Sequence, residues 1–257
     1  MNRIIEKFQE IRKSGRKALV GYLTAGDPDL KTSEKNIRCM LDNGVDILEL
    51  GVPFSDPIAD GPVIQAASQR ALKEGATLEK VLVLVSKLRQ DYDNPIILFG
   101  YANPFLIYGY DRICKNSSDA GVDGMLIVDL PYEEANEFRT KMAAHGLIMI
   151  PVIAPTTPEE RAEKILKNAE GFVYCIIVRG VTGARKQLAS DLEKHISDLR
   201  KCTDLPIAVG FGISDGAQAG HVARWADGVV VGSALIRAAQ ENRLASFVQE
   251  LRKALIV

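Results

Sequence analysis

Along the 257-residue chain, short runs of apolar and β-branched residues alternate with longer amphipathic stretches. Eight runs have the length and composition of strands: Ala18–Leu23, Asp46–Leu50, Pro95–Phe99, Gly124–Asp129, Leu147–Ile153, Phe172–Val178, Pro206–Phe211 and Gly228–Val231. Between them, Glu79–Gln90, Glu133–Ala144, Glu159–Ala169 and Leu192–Lys201 repeat apolar residues three and four apart, the helical period. Thr157-Pro158-Glu159-Glu160 reads as a helix start, with a capping threonine, proline at the first helical position and early acids. A further helix, Arg3–Lys13, precedes the first strand. The strands are apolar on both faces, as in a parallel sheet covered by helices. Eight strand–helix units in this length predict an α/β fold, a single (β/α)8 TIM barrel over residues 1–257 with an extra N-terminal helix. The alternative is a doubly wound sheet, which uses fewer strands and a Gly-rich dinucleotide turn after the first. Thr24-Ala25-Gly26-Asp27-Pro28 follows the first strand instead, and no Pro/Gly/Ser-rich linker divides the chain.

Composition narrows the partners. Lys plus Arg number 32 and Asp plus Glu 33, a net charge of −1, so no general basic field exists for nucleic acid or an anionic membrane. The longest nearly uncharged stretches fall well short of the ~20 residues of a membrane span. Met1–Gln9 alternates charged and apolar residues, unlike a signal peptide. Cys39, Cys114, Cys175 and Cys202 are far apart, with no CxxC and no paired histidines, which suits a reduced cytoplasmic protein without zinc site or disulfide framework.

A barrel places its chemistry at the carboxyl ends of the strands. Glu49 lies between Leu48 and Leu50 inside the second strand. In dry surroundings its pKa is expected to rise, making it a proton donor near neutral pH, unless a Lys or Arg is tied to it. The following loop holds Asp56 and Asp60 among Pro53, Pro57 and Pro62, whose stiffness favours positioned over merely solvated carboxylates. Gly212 and Gly232, in Gly210–Ser214 and Val231–Ala234, would fall in neighbouring loops after the last two strands. Backbone N–H groups there, backed by helix N-termini, form an anion site of the kind that holds a substrate phosphate. Arg179–Gly183, with two glycines around Thr182, suggests a loop able to close over a ligand. No lysine falls in a predicted strand, so a Schiff-base mechanism lacks its nucleophile. His145, His195 and His221 fall in predicted helices or at their ends, read as surface residues, and offer no paired metal site. What remains is carboxylate acid–base chemistry on a phosphorylated, largely apolar substrate.

Leu48–Pro62 closely resembles the tryptophan synthase α-subunit family. The likeness runs the length of the chain, through Thr24–Pro28, Tyr101–Asn103, Asp129–Pro131, Gly171–Tyr174, Gly180–Gly183, Gly210–Ser214 and Gly232–Ala234. The stretch around Glu49 and Asp60 is specific to that family, whereas the last two glycine motifs are shared by many phosphate-binding barrels. The resemblance implies a lyase that cleaves indole-3-glycerol phosphate to indole and glyceraldehyde 3-phosphate by a retro-aldol step. It implies Glu49 as the acid–base residue, protonating indole C3 and assisting proton removal from the side-chain hydroxyl, and Asp60 on the indole N–H. The phosphate would rest on Gly183, Gly212, Gly232 and Ser233. Substrate would also meet Tyr22, Phe99, Tyr101, Leu126, Ile153 and Phe211, with Tyr174 near Glu49 and Thr182 ordering the sixth loop over Asp60.

The resemblance further implies a cytoplasmic α2β2 heterotetramer in which indole passes to a pyridoxal-phosphate β subunit, with no cofactor in this chain. Pro53, Asp56, Pro57 and Asn103 would face that partner, and Asp129 would couple the Asp56 contact to Asp60. Two features depart from the family's usual pattern. Tyr22 stands where phenylalanine is frequent, bringing a hydroxyl that needs a partner, and Ile177-Val178-Arg179 is unusual after the sixth strand. A free-standing lyase and a catalytically inert activating subunit are the rival readings, and the presence of both acids favours the lyase.

Overall fold

The computed structural model describes residues 1–177, 185–210 and 212–256, with backbone alone over 185–191. Its strands are β1 (Ala18–Thr24), β2 (Ile47–Gly51), β3 (Ile96–Gly100), β4 (Gly124–Ile127), β5 (Ile148–Met149), β6 (Val152–Ile153), β7 (Val173–Ile176), β8 (Ile207–Gly210) and β9 (Gly228–Val231). Every pairing is parallel, in the order β5-β4-β3-β2-β1-β9-β8-β7-β6. The two ends of that order are halves of the one strand expected over Leu147–Ile153, interrupted at Pro151. Proline has no N–H to give a ladder, yet the segment stays in the wall. The Ile150 N–H donates to the Met125 carbonyl at 2.9 Å, and the Pro151 carbonyl accepts from the Tyr174 N–H at 2.9 Å. The segment thereby joins β4 to β7, and the sheet closes as the expected (β/α)8 barrel.

The helical layer is richer than a strict alternation of strand and helix. The second unit carries Pro62–Lys73 and Leu78–Leu88, the third Ala102–Tyr108 and Tyr110–Ala120, and the last Ser233–Gln240 and Leu244–Ala254. Two expected helix starts are corrected. Thr157 does not cap the helix Glu159–Leu166; its hydroxyl accepts from the Ala154 N–H at 3.2 Å, and Pro158 occupies the cap position. The helix expected from Glu133 begins at Asn136, because the Glu134 and Ala135 N–H groups turn back to the Pro131 carbonyl. Among the described residues no helix is long and apolar enough to cross a membrane, and all four cysteines are free thiols.

The N-terminal helix Arg3–Lys13 forms the barrel floor. Ile4, Phe8 and Ile11, on one helical face, are buried in a cluster with Val20, Ile47, Ile97 and Ile148 from the strands and Phe172 just before β7. Phe8 and Phe172 pack with centroids 5.2 Å apart. Asn2 caps the helix through the Ile4 N–H at 3.0 Å, while its amide donates to the Asp123 carbonyl at 2.8 Å. His195 differs from expectation. It is half-buried, with an Nε2 that has no hydrogen-bond partner among the described residues, and burial holds its imidazole below the usual range; His145 and His221 are exposed.

Two buried acids clip the strand starts together. Asp46 accepts from the Leu19 N–H at 2.9 Å and from Arg252 at 2.6 Å, and it also pairs with Arg16. Asp123 accepts from the Ile96 N–H at 2.8 Å, Arg89 at 2.9 Å and Arg3 at 3.0 Å. Removing one partner of such a buried set leaves an uncompensated charge and an orphaned N–H. Asp123→Ala is therefore expected to lower the unfolding free energy by about 3–5 kcal/mol, read as a shift of the urea midpoint against the parent chain.

Candidate active site

Residues paired across a parallel ladder share a face of the sheet, so register separates lumen from outer layer. Tyr22 pairs with Glu49 and Glu49 with Ile97; Phe99 pairs with Leu126; Tyr174 pairs with Val152 and Ala208. Ile97, Leu126 and Ala208 belong to the interior cluster. Tyr22, Glu49, Phe99, Leu126 and Tyr174 therefore converge on the lumen toward its C-terminal end. Ile153 does not join them. It pairs with Cys175 and packs in the outer cluster against the helices, so Val152 takes the inward position assigned to it from sequence.

Glu49 is 0% exposed, and neither of its carboxyl oxygens has a hydrogen-bond partner among the described residues. No Lys or Arg is tied to it there, and burial alone pushes its carboxyl up to about 8. The acid thus holds a proton at neutral pH. Two glycines admit the rings beside it. A Cβ on Gly51 would collide with the Tyr22 hydroxyl, and one on Gly210 would lie 2.7 Å from the Tyr174 hydroxyl. The hydroxyl of Tyr22 finds the partner it requires in Thr24, at 3.3 Å. Thr24 escaped sequence reasoning as a site residue, although its position two residues beyond Tyr22 on a strand places both on one face.

Asp60 ends the proline-rich loop before the helix Pro62–Lys73. Tyr101 fixes it: the phenol donates to Asp60 Oδ2 at 3.0 Å and accepts from the Ala59 N–H at 3.0 Å. Phe54 packs on the same ring at 5.3 Å. Partial burial raises the Asp60 carboxyl above its usual range, and the Tyr101 hydrogen bond opposes that shift. Asp129 accepts from the Ala102 N–H at 2.7 Å, one residue from Tyr101.

On the other side of the mouth, β8 and β9 pair Gly210 with Val230, which sets Gly212 and Gly232 in adjacent loops. Gly212 takes a φ of +52°, a region that favours glycine. Gly232 precedes the helix Ser233–Gln240, whose first N–H groups receive no side-chain cap and stay available to an anion. Thr182, Gly183 and Phe211 lie outside the described residues.

Of the residues expected to face a partner, Asp56 and Asn103 are exposed and Pro57 is half-buried. Pro53 is buried, a correction: it shapes the loop from inside and presents no surface. Sequence reasoning missed the apolar surface of these same segments, where Ile58, Leu106 and Ile107 are 84%, 58% and 77% exposed. The signal was available in a run of apolar residues directly after a strand, but periodicity alone does not say which way such residues face.

A closed parallel barrel with an unpaired, protonated carboxyl in its lumen and a second carboxyl held at its mouth defines a barrel enzyme of acid–base chemistry. The family model for the tryptophan synthase alpha chain matches residues 8–255. Tryptophan synthase alpha chains of Geotalea uraniireducens and Geobacter sulfurreducens are each 48% identical, covering 98% and 99% of this chain and 97% and 99% of their own. The solved alpha chain of Legionella pneumophila is similar at 35% identity and a TM-score of 0.91, covering 99% of this chain and 97% of its own. A tryptophan synthase structure from M. tuberculosis matches at 32% identity and 0.91, covering 100% and 99%. The chain belongs to the tryptophan synthase alpha chain family.

The raised acid has a consequence for stability. Between the ordinary value of 4.5 and about 8, the folded chain keeps a proton on Glu49 that the unfolded chain has lost. This contribution is complete below the lower value and declines as pH rises toward the upper one, by about 1.4 kcal/mol per pH unit. Glu49→Gln removes it. The unfolding free energy of the variant is expected to gain on that of the parent between about pH 5.5 and about pH 7.5, by denaturant titration at each pH. A difference that does not change with pH would overturn the assignment of a dry, protonated acid.

Proposed function

We propose that Glu49 and Asp60 divide the proton transfers and charge stabilisation of a retro-aldol cleavage between them. The reaction is the breakdown of indole-3-glycerol phosphate to indole and glyceraldehyde 3-phosphate, and the chain is the lyase subunit that performs it. The observation that carries the assignment is the fully buried Glu49 carboxyl, without a hydrogen-bond partner among the described residues.

In the forward direction Glu49 gives its proton to indole C3, leaving positive charge spread over the ring toward nitrogen. Asp60 accepts the ring N–H and stabilises that charge, and Tyr101 holds its carboxylate in place. The carboxylate of Glu49 then takes the proton of the hydroxyl on the carbon attached to C3. The C–C bond breaks, its electron pair restores the aromatic ring, and the aldehyde forms. Glu49 ends protonated as it began, so one residue serves as acid and base in turn. Phe99, Leu126 and Val152 present apolar wall to the ring, and the Ser233 helix terminus with Gly212 and Gly232 supplies N–H groups to the phosphate.

Glu49→Gln keeps the shape and removes the transferable proton. Indole release is expected to fall by at least ~10³-fold while substrate binding persists, followed by indole formation from purified substrate. Turnover near the parent rate would end the assignment.

The partnership rests on the same face of the barrel. We infer that a pyridoxal-phosphate β subunit docks over Ile58, Leu106 and Ile107, with Asp56 and Asn103 at the rim, and receives the indole. These exposed apolar side chains flank the loop that carries Asp60, so a partner covering them gains a direct hold on the second acid. Ile107→Asp is expected to weaken association with the cognate β subunit by at least ~10-fold, measured by analytical gel filtration or calorimetry. Unchanged affinity would move the docking surface elsewhere.

A further inference from the structure

Among the described residues at the mouth, the reaction above gives no task to the buried hydroxyl of Tyr22 or to its partner Thr24. Its ring stands edge-on to Phe99, with centroids 5.2 Å apart and planes at 78°. On its other side a Cβ at Gly232 would lie 3.5 Å from Tyr22 Cδ1. The ring thus spans the interval from the apolar slot to the glycine before the anion-binding helix terminus. The hydroxyl lies 3.3 Å from Thr24 Oγ1 and beside the Cα of Gly51. Thr24 and Gly51 are paired in register, two positions nearer the strand ends than Tyr22 and Glu49. The Tyr22 hydroxyl therefore stands above the acid, toward the mouth.

Two hydroxyls bring two O–H donors, and the single hydrogen bond between Tyr22 and Thr24 uses one of them. Tyr22 is 5% exposed and Thr24 2%, so the second donor has little access to water, and neither hydroxyl has another hydrogen-bond partner among the described residues. A buried donor of this kind favours a ligand that brings an acceptor oxygen. In the substrate assigned above, the stretch between ring and phosphate is a three-carbon chain bearing two hydroxyls, of which Glu49 takes one.

We infer that the Tyr22–Thr24 hydroxyl pair is a specificity site for the oxygenated side chain, its spare donor hydrogen-bonding the hydroxyl on the middle carbon. The inference rests on the lyase reading and adds a discrimination to it. Indole phosphates that carry this hydroxyl are retained over ones that lack it, because only they satisfy the buried donor.

The test compares two ligands on the full-length chain, in a Glu49→Gln parent that binds without turnover. One ligand is indole-3-glycerol phosphate; the other is the phosphate ester of 3-(indol-3-yl)propan-1-ol, which has the same ring, chain length and phosphate but neither hydroxyl. Tyr22→Phe is expected to weaken binding of the first by roughly 5- to 20-fold and of the second by less than about twofold. Thr24→Val, which removes the tether and not the ring, is expected to act in the same direction with a smaller factor. Equal losses for both ligands would reduce Tyr22 to a packing role, and unchanged binding of both would leave its hydroxyl without a function; either result overturns the proposal. A parent that binds neither ligand would overturn the lyase reading, and this inference with it.

Discussion

A carboxyl group buried without a cation beside it is tolerated only while it keeps its proton, since the bare ion in a dry site costs several kcal/mol. Glu49 lives under that constraint, and much of the barrel serves to maintain it. The N-terminal helix closes the floor with Ile4, Phe8 and Ile11, and Tyr22, Phe99, Leu126 and Tyr174 line the lumen around the acid. The fold does pair its other buried acids, but at the opposite end. Asp46 and Asp123 collect arginines and backbone N–H groups at the strand starts, where they hold the wall together. The same functional group is a fastening at the base and a proton reservoir in the lumen, and the difference is made by what surrounds it.

Asp60 completes the division of labour by sitting in a different environment. It is only partly buried and takes a hydrogen bond from Tyr101, which favours its charged form against the effect of burial. One acid is set to deliver a proton and the other to oppose a positive charge, without any change of residue chemistry. The geometry depends on small residues as much as on the acids. Gly51 and Gly210 leave the room in which the hydroxyls of Tyr22 and Tyr174 lie. An alanine at either place would drive the ring out of the position that defines the slot.

Much of this was legible in the chain itself. Glu49 could be read as dry because it interrupts a run of leucine and isoleucine in a strand covered on both faces, and the count of strands pointed to a barrel without reference to any relative. Other features depend on contacts that a linear pattern does not record. Ile153 was assigned inward, but the interruption at Pro151 and the register with β7 turn it outward and bring Val152 in. The resemblance places Pro53 at the partner-facing surface with the rest of its loop, whereas it is buried. Thr157 looked like a helix cap and instead serves the Ala154 N–H, a choice settled by the local turn and not by the capping pattern. Tyr101 was recognised as a neighbour of the substrate, but its hold on Asp60 joins residues 41 apart in sequence and appears only once the barrel has closed.

The interrupted fifth strand has a mechanical consequence. β1 and β2 share five registered pairs, whereas β5 and β6 hold their neighbours by two each. The cylinder therefore has a stiff side and a seam, and the seam lies across the lumen from the strands that carry Tyr22 and Glu49. Local opening of the wall is therefore expected to cost least along that seam and most beside the strand that bears the acid.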